Sequence, residues 1–330
     1  MDHTRAVTLH DVAREAGVAV STVSRALSNP DRVNARTREH VRAVAQRLDY
    51  RPNRIAQALP TGSMQMLGML VPDITNPHHF GLIRGAEAQA RAAGYTLVLG
   101  DTQGLPGLEA GHTQRLASTV DGFLLVSPRG EDDSLHAVGT RRPVVLYNRE
   151  LDGVRSVVTD AADAAGQVVD HLHALGHRSI AYLAGPADSW TEHQRHGALA
   201  RRAADVGIAV RRIGPHSPTM DGGTAGVDAA LATRATAVVA FNDLMAIGAL
   251  RRLERRGVDV PGEVSVVGFD DIYGADFCHP PLTTVAAPVE EAGRRLVDAL
   301  LAGPDAPFAE RTVLPTTLLV RDSTGPVAFG

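Results

Sequence analysis

Apolar residues recur every three or four positions through the first fifty residues, and then give way to short continuous apolar runs. In "LHDVAREA", residues 9–16, Leu9, Val12, Ala13 and Ala16 share one helical face, Thr8 stands at the cap position and Gly17 lets the backbone turn. In "VSTVSRAL", residues 20–27, Val23, Ala26 and Leu27 face inward while Ser21, Thr22, Ser24 and Arg25 face out. The spacing predicts a third helix, "ARTREHVRAVAQRL", capped by Asn34, whose Val41, Val44, Ala45 and Leu48 close a miniature core. Its outward arginines, Arg36, Arg38, Arg42 and Arg47, read as a solvated face.

From Met66 the period changes. "MLGMLVPD", "YTLVLGDT", "VDGFLLVS", "PVVLYNR", "SIAYLAGP", "TAVVAFND" and "VSVVGFDD" are continuous apolar strands separated by helical patterns, which predicts parallel sheets covered on both faces. The pattern restarts after about residue 161 with "AADAAGQVVDHLHALG", and the late helix "PVEEAGRRLVDALLAG" is expected to return to the first series. The expected fold is therefore an all-α headpiece, residues 1–62, followed by an α/β body, 63–330, of two doubly wound lobes. Lobe one is expected over about 63–161 and 286–312, and lobe two over about 162–285 and 313–330.

Composition agrees with several domains: 330 residues, 44% of them hydrophobic, exceed what one core organises. A single cysteine, Cys278, excludes a disulfide framework and points to a reducing compartment, the cytoplasm. No apolar run has the length of a signal peptide or a membrane span, so export and membrane insertion are not expected. The net charge of −4 hides an asymmetry: residues 1–62 hold ten arginines against six acids, which leaves the body at −8. A small basic module on an acidic body suggests a polyanion as partner of the module alone. All 33 basic residues are arginine, which reads first as coding bias.

On the second helix, small hydroxyl side chains permit close approach to phosphates and base edges, and Arg25 can reach guanine acceptors. This is the pattern of a helix-turn-helix reader. Ala19, ahead of this helix, has no side-chain oxygen to cap it. In "YRPNRIAQALP", Pro52 and Pro60 bracket a helix too short to be stable alone, expected over about 52–60.

The runs "TLHDVAREAGVAVSTVSRALSN" and "VNARTREHVRAVAQRLDYRPNRIAQAL", followed in order by "GMLVPDITNP", "VDGFLLVSPR", "LGHRSIAYLAGP", "AFNDLMAIGALRRL", "VSVVGFDDI" and "PPLTTV", resemble the LacI-type (lactose and purine repressor) family of bacterial regulators over almost the whole chain. The resemblance implies a body of periplasmic-binding-protein type and a homodimer on a near-palindromic duplex operator. It further implies that Val20, Ser21 and Arg25 read base edges, that Thr22 and Ser24 hold phosphates, and that Asn53 joins this DNA-contacting set. Leu59 would wedge into the minor groove from a hinge helix formed by two paired chains; by itself, without the resemblance, it reads better as a core contact against the next domain. Gln57 stands where many relatives carry arginine.

In doubly wound sheets ligands sit beyond the carboxyl ends of the strands. That rule picks out Asp73, Asp101, Ser127, Asn148 and Arg149 in lobe one, and Asn242, Asp243, Asp270 and Asp271 in lobe two. Asp243 reads better as the cap of the following helix, and Asp270 or Asp271 as a turn residue. The resemblance implies effector contacts at Asn148, Thr191, Arg195, Asn242 and Asp270, with Arg195 foremost. Trp190 beside it could stack on a sugar face or serve as an ordinary lobe aromatic. His79 and His216 replace the aromatic residues that relatives often place there, which would shift effector preference, or add pH sensitivity if both line the cleft. The short polar groups favour a carbohydrate effector over a nucleobase or another metabolite.

Catalytic signatures are absent: no nucleophile elbow, Walker loop or dinucleotide fingerprint occurs, and no cofactor is expected. His171 and His173, or His193 and His196, lack the further ligands a metal requires. The rival readings are a sugar-binding transport receptor, which needs an export signal and no basic headpiece, and a sugar- or nucleoside-processing enzyme, which needs a base or nucleophile.

Overall fold

The computed structural model describes residues 7–28, 32–50, 63–303 and 310–327. It divides into two compact units, Met1–Gln65 and Met66–Gly330.

In the first unit, α1 (Leu9–Ala16) begins with a reciprocal cap: Asp11 N–H donates to the Thr8 hydroxyl at 3.3 Å, and Thr8 N–H donates to the Asp11 carboxylate at 3.0 Å. Gly17, at φ 64°, ends it in the left-handed conformation that glycine adopts without penalty. Helix α2 (Val20–Ser28) starts on the Ala19 carbonyl, which accepts from Thr22 and Val23 N–H. Asn34 caps α3 (Ala35–Arg47) through Arg36 N–H at 2.9 Å. The three helices bury Val12, Ala16, Val23, Ala26, Val41 and Val44 against one another. So small a core explains why the caps matter: each contributes about 1 kcal/mol to a module with few apolar contacts.

The second unit holds two six-stranded sheets. The first joins β1 (Met66–Val71), β2 (Thr96–Asp101), β3 (Gly122–Val126), β4 (Val144–Tyr147) and β5 (Arg155–Thr159) to the late strand β11 (Arg311–Leu314), in the order β11-β5-β4-β3-β1-β2. The second joins β6 (Ser179–Leu183), β7 (Ala209–Ile213), β8 (Ala237–Ala240), β9 (Ser265–Phe269), β10 (Thr283–Ala286) and β12 (Thr317–Leu319), in the order β12-β10-β9-β8-β6-β7. All pairings are parallel except β10 with β12. Both sheets reverse strand order beside their first strand, and ligands bind at that place in doubly wound folds.

Helices α4 (His78–Ala92), α5 (Pro106–Leu116) and α6 (Asp132–Gly139) belong to the first lobe; α7 (Ala161–Ala174), α8 (Trp190–Asp205), α9 (Met220–Ala232) and α10 (Asp243–Arg255) belong to the second. Helix α11 (Val289–Leu301) crosses back, burying Ala292, Leu296 and Val297 in the first core with Leu82, Ala86 and Ala90. Gly85 is required there, since a β-carbon would collide with the carbonyl oxygen of Glu290. The chain thus passes between lobes near residues 160, 287 and 315, and β11 runs to Leu314, two residues beyond the expected limit of 312. Among the described residues no helix is long and apolar enough to cross a membrane.

Candidate functional site

Between the lobes lies a cavity of about 610 Å³. Its walls come from loops that leave the carboxyl ends of strands in both sheets: Asp73 after β1, Asp101 ending β2, Ser127 and Arg129 after β3, Asn148 after β4, Phe241 and Asn242 after β8, and Asp270 after β9. Ser127, Asn148 and Asp270 have φ of 43°, 49° and 108°, conformations that cost an ordinary residue about 1–3 kcal/mol. Such conformations persist only where the surrounding structure enforces them, and these three fall on the walls of one cleft, from both lobes.

The centre of the site is Arg195, presented by α8 and 8% exposed. Its guanidinium donates to Asp270 Oδ1 at 2.7 Å and to the Phe241 carbonyl at 2.5 Å, and lies 5.2 and 4.7 Å from the ring centres of Phe241 and Phe269. Burial alone would lower its pKa, but the Asp270 carboxylate outweighs this and the net displacement is upward, so Arg195 stays charged. Across the cleft, the His78 ring lies 3.7 Å from the same Asp270 oxygen and 5.3 Å, edge-on, from the ring of His79. Burial first, and His78 second, push His79 down to about 3, so it is neutral at physiological pH.

Two further contacts join the lobes. Thr191 Oγ1 reaches the Asn148 carbonyl at 3.4 Å, and Arg129 donates to Asp188 at 2.8 Å. The loop of Arg129 is shaped from beneath by buried Glu109, which accepts from Arg129 N–H at 3.0 Å and Gly130 N–H at 3.2 Å. Burial raises the Glu109 pKa, against the pull of those two donors. Glu192 does the same for the loop after β6, accepting from the Tyr182 hydroxyl at 2.8 Å and Gly185 N–H at 2.9 Å.

Of the expected effector contacts, His79, Asn148, Thr191, Arg195, His216, Asn242 and Asp270 line the cavity. Trp190 does not: it is the first residue of α8, half-buried beside the Ser189 cap and off the cavity wall. The expected cap at Asp243 is also corrected, because Asn242 caps α10 by accepting from Met245 N–H at 3.0 Å. Asp243 is instead fully buried, accepting from the Thr284 hydroxyl at 2.6 Å and Ile272 N–H at 2.9 Å. Gly268 leaves room for that carboxylate, and burial raises its pKa well above the ordinary range. It thus ties the Asp270 loop to β10, which leads into a lobe crossover. Arg149 turns away to Asp132 at 2.6 Å, and Asp271 pairs with Arg321 at 2.7 Å.

In the headpiece, Ser21, Ser24 and Arg25 are exposed on one side of α2, whereas Thr22 is half-buried and Val20 is half-buried against the three-helix core. Arg25 Nε donates to the Ser21 carbonyl at 3.2 Å. Asn53, Leu59 and the expected hinge helix fall outside the described residues.

Residues 8–53 match the family model for bacterial regulatory proteins of the lacI family, and 169–324 match the periplasmic binding protein-like domain. The HTH-type transcriptional repressor CytR of Escherichia coli (strain K12) is 34% identical over 305 residues, 90% of this chain and 89% of the relative. The chain belongs to the lacI family of bacterial regulatory proteins. This family member superimposes on the lac repressor dimer bound to operator and the anti-inducer ONPF with a TM-score of 0.87 at 28% identity, covering 97% of this chain and all of that one. A complex of the transcriptional regulator CelR with cellobiose matches at TM-score 0.71 and 31% identity, over 96% and 99% of the two chains. The protein is a DNA-binding transcriptional regulator, not an enzyme.

Among the wall residues of this regulator that escaped the sequence reading are His78, Arg129, Asp188 and Ser189. Arg129 follows Ser127 by two positions and was within reach of the strand-end rule. Asp188 carried no signal, because its role depends on a loop of the opposite lobe.

Proposed function

We propose that this regulator is a repressor whose hold on a near-palindromic operator is set by a sugar bound between the lobes. The observation that carries this is the cavity wall itself: Asn148 from one lobe, Asn242, Arg195 and Asp270 from the other, converging on a space sized for a small hydroxylated molecule. The cellobiose complex of CelR supports a carbohydrate in such a cleft. In the proposed assignment His79, Asn148, Thr191, Arg195, His216, Asn242 and Asp270 contact the effector. Ser21 and Arg25 read base edges, helped by Val20, and Thr22 and Ser24 hold phosphates.

The working unit is a cytoplasmic homodimer, with a headpiece over 1–62, Asn53 and Leu59 in its hinge segment, and a body over 63–330. Effector and operator act on each other by linkage: whatever the sugar does to lobe geometry must change operator affinity, and the operator must change sugar affinity by the same factor. Coupling of this kind is typically about 1–3 kcal/mol, or about 5- to 150-fold.

The test is fluorescence anisotropy of the full chain on genomic fragments, with and without sugars that raise its melting temperature. The expected result is preferential binding of a fragment with dyad symmetry, weakened or strengthened at least about fivefold by a stabilising sugar. No preference over random duplex would overturn the assignment.

A further inference from the structure

We infer that the interlobe site selects an uncharged polyhydroxylated ligand and rejects its phosphorylated or carboxylated counterpart. This rests on the reading of the cleft as the effector site and adds the charge class of the effector. The cavity wall carries four carboxylates, Asp73, Asp101, Asp188 and Asp270, against two guanidinium groups. Both cations are already committed, Arg195 to Asp270 and Arg129 to Asp188. Asp73 and Asp101 form no ion pair among the described residues. Asp73 Oδ1 accepts from Thr75 N–H and Oγ1–H at 2.8 and 2.6 Å, and Asp101 Oδ1 accepts from Gln103 N–H at 3.0 Å, which leaves one oxygen of each for a donor.

The remaining wall chemistry points the same way. The rings of His78, His79 and His216 also contribute to the wall, His79 being 4% exposed. A neutral imidazole offers one donor and one acceptor, and a free carboxylate oxygen only accepts. A hydroxyl group both donates and accepts, so it can donate to the free oxygens of Asp73 and Asp101. An ionised phosphate or carboxylate group only accepts; placed against Asp73 or Asp101 it would set acceptor against acceptor and add charge repulsion.

Thermal-shift and calorimetric titration of the full chain with matched pairs tests this: neutral mono- and disaccharides against their phosphates and aldonic acids, and nucleosides against nucleoside monophosphates. The neutral member of the binding pair is expected to bind at least about a hundredfold tighter, and Asp73→Asn with Asp101→Asn to narrow that ratio at least about tenfold. A nucleoside that binds better than its monophosphate while no sugar binds would sustain the charge rule and refute the carbohydrate reading. An anionic member that binds equally well or better would overturn the inference, since Arg129 must then leave Asp188 for the ligand. An undiminished ratio in the double variant, or no binding by any pair, would overturn it as well.

Discussion

Arg129 of the first lobe donates a 2.8 Å hydrogen bond to Asp188 of the second, and both side chains line the cavity between them. Arg129 is nearly buried, its side chain 8% exposed, whereas that of Asp188 is 56% exposed, so solvent screens the pair from one side. Its contribution to global stability is therefore expected to be small, about 1 kcal/mol or less. Its position spanning the lobes predicts a kinetic effect instead. Asp188→Asn, which keeps an acceptor for the nearly buried Arg129 while removing the charge, should speed effector dissociation severalfold in stopped-flow measurements with only a small change in the urea midpoint. A large loss of stability with unaltered dissociation would make the pair part of the scaffold rather than a latch.

Arg195 offers the opposite balance. Both it and Asp270 are nearly removed from solvent, with side chains 9% and 7% exposed, and taking away one partner leaves a buried charge alone. Arg195→Ala should cost about 3–5 kcal/mol, a large part of a domain stability of about 5–15 kcal/mol. Replacing both partners by apolar residues, Arg195→Met with Asp270→Leu, should recover most of that loss. Effector response should disappear in both variants while operator binding survives in the second. Retention of the response in the paired variant would remove Arg195 from the effector contacts.

His79 makes acid sensitivity predictable in sign. Its folded pKa, about 3, lies below the value near 6.5 of an exposed histidine, so the unfolded chain takes up the proton first. Stability is full above about pH 6.5 and falls as pH drops toward 3, by about 1.4 kcal/mol per unit from this group. His171, His177 and His196 are also lowered by burial and contribute in the same direction. His79→Gln leaves those in place, so the difference isolates one residue. Between pH 6.5 and 5 the variant should lose about 2 kcal/mol less than the parent chain in urea titrations, whereas parallel acid limbs would show that His79 is protonated where it stands.

Much of this architecture was legible because its causes are local. Apolar runs of four to six residues bounded by polar turns identify parallel strands, and the cap at Thr8, the turn at Gly17 and the Asn34 cap follow from side chains within three positions of their partners. The strand-end rule found Asp73, Asp101, Ser127, Asn148, Asn242 and Asp270 without knowledge of the fold. It failed where a single residue decides between two roles. Asn242 and Asp243 are both good capping types, and only the packing of β10 and Gly268 against the carboxylate settles that Asn242 caps while Asp243 is buried. Trp190 shows the limit of adjacency: it neighbours Thr191, a wall residue, yet successive helical positions are turned about 100° apart and face different surroundings.

The headpiece prediction turns on Arg25. Its only described hydrogen bond is to the Ser21 carbonyl at 3.2 Å on an exposed surface, where water competes, so little opposes its swing toward a base edge. Arg25→Ala should therefore leave the melting temperature nearly unchanged, because nothing buried is lost. On the operator it should cost about 1–3 kcal/mol and relax preference at one base pair per half-site. The salt dependence of binding separates two roles that affinity alone confuses. A base contact leaves the slope of log affinity against log salt almost intact, whereas loss of a phosphate contact lowers it by about one. Anisotropy at three salt concentrations, on the operator and on variants changed at each half-site position, supplies both quantities. A uniform loss on every sequence with a reduced slope would reassign Arg25 to the phosphate backbone and leave Ser21 as the main candidate for base readout on α2.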